Sequence, residues 1–92
     1  PDDSKAQGYL NQVRNRVNMS PVNASGNALT EAIWAERRLE LSGEGHRFFD
    51  LVRTAKAADE INGFVPGKHE LFPIPQVEID LAGGNWSQNN NY

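Results

Sequence analysis

The stretch Glu36-Arg37-Arg38-Leu39-Glu40-Leu41-Ser42-Gly43-Glu44-Gly45-His46-Arg47-Phe48-Phe49-Asp50-Leu51-Val52-Arg53 decides how this chain is read. It interleaves three glutamates, four arginines, an aspartate and a histidine with bulky apolar residues. Its first part continues a helical pattern that begins near residue 28. With Leu29 at angle zero and about 100° per residue, Ile33 falls at about 40°, Glu36 at about 340° and Glu40 at about 20°. Two glutamates therefore continue a line of apolar residues, while Trp34, Leu39 and Leu41 occupy other sides. A helix that is apolar nearly all round is enclosed by neighbours, so Glu36 and Glu40 are expected to be partly buried and to need partners.

From that stretch the rest of the chain follows outward. The glycines of Ser42-Gly43-Glu44-Gly45 break the helix, which closes a span of residues 28–42 with Asn27 as its expected N-cap. A third helix is expected over residues 46–60, antiparallel to the second across the short break. Its Phe48, Phe49, Leu51, Val52 and Ala55 share one face, and its Arg47, Asp50 and Arg53 make i,i+3 pairs. Upstream, Ala6, Leu10, Val13 and Val17 mark an amphipathic helix over residues 4–18. Asp2, Asp3 and Ser4 are its cap candidates, Arg14 and Arg16 suit its C-terminal pole, and Pro21 lies beyond its end. Downstream of Asn62-Gly63 the period vanishes, and Leu71-Phe72-Pro73-Ile74-Pro75 must be extended because each proline disfavours helix before it. Pro75 can open a short helical turn through Ile79. Residues 64–92 thus form a strap, whose Gly- and Asn-rich end orders only where Trp86 or Tyr92 docks. The expected fold is all-α: one amphipathic helix, a tetratricopeptide-like helical hairpin and an extended Pro-containing strap.

Composition excludes several functions. A chain of 92 residues with a net charge of −3 lacks the basic stripe that phosphate backbones require, so no nucleic-acid partner is expected. No apolar run approaches membrane-spanning length. Without cysteine there is neither a disulfide framework nor a thiolate metal site. The opening Pro1-Asp2-Asp3 reads like the interior of something longer, and the chain is expected to be part of a larger protein.

Glu36, Glu40 and Glu44 could be taken for the paired carboxylates of a glycoside hydrolase. Arginines this plentiful would hold such carboxylates ionised, which suits no general acid. The preferred reading is a structural ion-pair network of Glu36, Arg37, Arg38, Glu40, Glu44, Arg47, Asp50 and Arg53. In it Arg37, Arg47 or Arg53 would serve Glu36 and Glu40. His46 and Asp50 have metal-ligand spacing but are too few ligands for zinc, so no metal and no cofactor are expected. Trp34 belongs to a helix with apolar neighbours and reads as core. Trp86 is the one plausible exposed platform for a sugar ring, although docking of the tail explains it as well.

The central stretch resembles the C-terminal signature of SusD/RagB-like proteins. Tyr9-Leu10-Asn11-Gln12-Val13-Arg14-Asn15-Arg16 resembles the family's preceding helix. Leu71-Phe72-Pro73-Ile74-Pro75-Gln76-Val77-Glu78-Ile79-Asp80, with Gln88-Asn89 and Tyr92, resembles its closing segment. Asn90-Asn91 stands where the family has Pro-Gly before the last Tyr, and Trp86 where a Leu is common. The resemblance implies a surface lipoprotein of the Bacteroidetes outer membrane, not an enzyme. Such a protein binds glycans or peptides for nutrient uptake with a SusC-like TonB-dependent transporter. Its lipid anchor and most ligand-contacting aromatics would lie outside this segment, which would be about the last fifth of the protein. In a bacterial protein the Asn-X-Ser triplets at Asn18, Asn23 and Asn85 are only polar loops. Two other readings are a free-standing tetratricopeptide-like interaction module and, remotely, a glycoside hydrolase.

Overall fold

The computed structural model describes residues 2–92, and Pro1 lies outside it. All regular structure among these residues is helical: α1 (Asp3–Arg16), α2 (Gly26–Glu40), α3 (Arg47–Arg53), α4 (Ala57–Glu60) and α5 (Gln76–Leu81). They fall into two compact units, Pro1–Arg47 and Phe48–Tyr92. The all-α expectation holds.

In the first unit, Asp2 caps α1 by accepting the Lys5 N–H at 3.1 Å. The helix ends where Asn18 takes φ 58° and Met19 N–H reaches back to the Arg14 carbonyl at 3.0 Å. Asparagine tolerates that left-handed position, which closes a Schellman-type end. Residues 20–26 then run back along α1. Arg14 Nε donates to the Ser20 carbonyl, and Asn11 holds both backbone groups of Val22, donating at 3.0 Å and accepting at 2.7 Å. Gln7 reaches Asn23 and Ala24, and Asp3 accepts the Gly26 N–H at 2.8 Å. This return path starts α2 beside the beginning of α1, so the two helices run in the same direction. Leu10 and Leu29 are buried between them.

The start of α2 differs from the expectation. Its N-cap is Ser25, which makes no side-chain cap bond, and Asn27 lies inside the helix. The first N–H, that of Gly26, is served instead by Asp3 of α1. A cap borrowed from another helix leaves no mark in the local sequence. The break after α2 is where it was expected, with Gly43 and Gly45 both at φ 80°.

In the second unit, the helix expected over residues 46–60 is two helices. Ala55 N–H bonds the Val52 carbonyl at 3.1 Å, Lys56 N–H bonds that of Leu51 at 2.9 Å, and Ala55 sits at φ 58°. This is a Schellman end with alanine at the left-handed position. An L-residue there costs about 1–2 kcal/mol. The turn offsets that cost by burying Leu51 and Ala57, which flank it, to 5% and 3% exposure. Burial on both sides of the break overrides the helical period, and no glycine announces it.

The strap forms much as expected. Pro75 caps α5 rather than occupying its first turn. After the turn at Gly83 and Gly84, residues 88–92 run back beside residues 67–74. Gln88 holds both backbone groups of Ile74 at 2.8 Å, and Asn89 Nδ2 donates to the Phe72 carbonyl at 2.7 Å. The Asn91 side chain donates to the Gly67 carbonyl and the Tyr92 hydroxyl to that of Leu71. Tyr92 is thus docked despite the Asn90-Asn91 departure, while Trp86 stays 56% exposed.

Candidate functional site

Arg14 is four residues beyond buried Leu10 and continues its face of α1. Glu36 likewise continues the Leu29–Ile33 line of α2. Where the two faces meet, Arg14 Nη1 lies 2.6 Å from Glu36 Oε2, with Glu36 only 8% exposed. The same guanidinium anchors the return segment through Ser20, so one arginine fastens three pieces of chain. Toward the C-terminal ends, Arg16 pairs with Glu40 at 2.5 Å, where both side chains are well exposed. The buried pair is the consequential one, because exposed pairs contribute little.

The acceptor side of the expected network is found, but the donors differ. Glu36 and Glu40 are served by Arg14 and Arg16 of α1, whereas Arg37, Arg47 or Arg53 had been expected. The reason is topological: the parallel return brings α1 against the line of α2 that carries both glutamates. Arg53 instead pairs within its own helix with Asp50 at 2.9 Å. Arg38 and Glu44 are exposed and form no ion pair among the described residues. The place of Arg14 at i+4 from Leu10, beside the buried face, was legible, but its pairing with α2 was not. Asn11 and Gln88 were not legible, because an amide that grips backbone reads in sequence as polar surface.

Beside the clasp a cleft of about 440 Å³ opens between α1 and α2. Ala6, Tyr9, Leu10, Val13, Ile33 and Leu41 supply its apolar wall, with Glu36, Arg37 and Glu40 also lining it. Glu36 and Glu40 stand on successive turns of one helix, each tied to an arginine, so they do not oppose each other across a substrate. In the second unit, Phe48, Phe64, Phe72, His69 and Tyr92 line a smaller cleft of about 260 Å³. A polar one of about 490 Å³ lies between residues 67–71 and 87–90. Trp86 lines none of these three. No cluster of potential metal ligands occurs among the described residues, and none of their helices is long and apolar enough to cross a membrane.

This geometry defines a class: a helical structural segment with fastened charges. The model of the SusD family, SusD_RagB, matches residues 1–70, three quarters of the chain, and the chain belongs to that family. The match runs from α1 to Glu70 and so includes the whole charged stretch, whereas the proline segment and strap lie beyond it. The family is one of nutrient- and glycan-binding, non-catalytic outer-membrane lipoproteins. No curated protein and no solved structure matches the chain.

Proposed function

We propose that this chain is the structural scaffold of a cell-surface protein that captures glycans or peptides for uptake through a SusC-like TonB-dependent transporter. The observation that carries the reading is the family match over residues 1–70, which contains the whole clasp. The charged stretch then serves folding rather than chemistry. Arg14–Glu36 and Arg16–Glu40 fix α2 against α1, and Asp50–Arg53 braces α3. The membrane connection is a lipid anchor outside this segment, and neither cofactor nor metal takes part.

The test is calorimetric titration of glycans and peptides against the full-length protein and, separately, against the 92-residue chain. Binding by the first without the second is the expected result. Hydrolysis of a polysaccharide by either would overturn the non-catalytic reading. Trp86 is the candidate ligand contact within the chain. Trp86→Ala in the full-length protein should weaken binding by about 0.5–1.5 kcal/mol if its ring stacks on ligand. Unchanged affinity assigns Trp86 to the scaffold.

A further inference from the structure

The turn at residues 65–70 is closed by two side chains that accept hydrogen bonds from its own backbone. His69 Nδ1 accepts the Val65 N–H at 2.9 Å, and Glu70 Oε1 accepts the Gly67 N–H at 3.0 Å. Protonation removes the first acceptor, because an imidazolium has only donors, and weakens the second, because a carboxylic acid keeps one carbonyl oxygen that accepts less strongly than a carboxylate. The C-terminal residues are moored on this same turn. Asn91 donates to the Gly67 carbonyl, Tyr92 to that of Leu71, and the Lys68 ammonium lies 4.8 Å from the centre of the Tyr92 ring.

We infer that residues 65–70 form an acid-labile latch: the turn holds the C-terminal strap while His69 and Glu70 both accept hydrogen bonds, and protonation releases it. The polar cleft between turn and strap, with Lys68 and Glu70 on one side and Ser87 and Asn90 on the other, opens when the latch does.

The Gly67 N–H, foremost, holds the Glu70 carboxyl below its ordinary value, with smaller contributions that include the charge of His69. A carboxyl lowered by folding stabilises the fold above its unfolded value, and that contribution disappears as pH falls through the lowered one. Glu70 therefore loosens its hold only below the pH at which an ordinary carboxylate protonates. Lys68 and Glu70 are the charged neighbours of His69 within the turn. From the other elements, Phe48, Ile61, Phe64, Leu71 and Phe72 share the cleft with His69 and carry no charge. The Tyr92 phenol, also there, donates its proton to Leu71.

Hydrogen exchange of the full chain, corrected for intrinsic rates and read at about pH 7.5 and 5.5, tests the latch. Residues 86–92 should exchange roughly three- to tenfold faster at the lower pH, the factor expected for one hydrogen bond, with α1 unchanged as internal reference. His69→Asn places an amide oxygen where Nδ1 stands and cannot titrate, so the pH effect should vanish. His69→Leu should exchange fast at both values. In the wild type, the Val65 amide resonance should titrate with the His69 ring. An equal pH effect in wild type and His69→Asn, no effect in wild type, a matching change in α1, or a Val65 amide that ignores pH would each overturn the latch.

Discussion

The two units meet the same need by opposite arrangements. Each must hold an extended segment without a β-strand partner, and each uses one side-chain amide to bond both backbone groups of a single residue. In the first unit the amide belongs to Asn11 on a 14-residue helix, and the gripped residue, Val22, lies on the returning loop. In the second it belongs to Gln88 on the strap itself and grips Ile74. A clamp on a long helix inherits the rigidity of that helix. A clamp between two loops is only as firm as the other bonds around it. The difference teaches where each unit is vulnerable: the first in its core and clasp, the second along its hydrogen-bonded edge.

The largest break in that contrast is expected from Leu29→Ala. Leu29 is 2% exposed, and its truncation should cost about 2–4 kcal/mol in the first unit, read as a lowered chemical-denaturation midpoint. Next come the paired carboxylates. Glu36→Gln should destabilise by about 1–3 kcal/mol, because it leaves the Arg14 guanidinium nearly buried without its counter-charge. Glu40→Gln should cost no more than about 1 kcal/mol, since that pair is exposed. Equal effects at the two positions would refute the distinction drawn between them. Asn11→Ala and Gln88→Ala compare the clamps directly. Each should cost about 1–2 kcal/mol, the first lowering the thermal midpoint and the second mainly speeding hydrogen exchange in residues 86–92. The smallest effect sharpens the account of the second unit: Ala55→Gly should stabilise it by up to about 1 kcal/mol, read in thermal melts, by relieving a left-handed alanine.

Legibility followed the same division. The first unit is built from helices of 14 and 15 residues, long enough for the apolar period to show, and its expected spans lie within two residues of the observed ones. The break at Ser42-Gly43-Glu44-Gly45 was equally readable, because glycine at positive φ is a local signal. The second unit has helices of seven, four and six residues, too short for any period to locate their ends. Its break at Ala55 is held by burial of Leu51 and Ala57, and burial is a property of the folded chain. Of the candidate site, burial was expected for Glu36 and Glu40 from their angles on the helix; it holds for Glu36, whereas Glu40, near the end of α2, is exposed. The arginine that pairs with Glu36 was assigned to the wrong helix because the parallel return of the chain is invisible locally.

The sequence by itself determined that the chain is helical, where its long helices lie, that Glu36 needs a partner and which family signature it carries. These follow from periodicity, turn chemistry and motif, all of which act over a few residues. Only the tertiary structure decided that α1 supplies the arginines, that Asp3 caps α2, and that the third helix divides. It also decided that Asn11 and Gln88 stand in for missing strands. Each of those depends on which distant backbone or side chain arrives alongside, and that is settled by the packing of the folded chain.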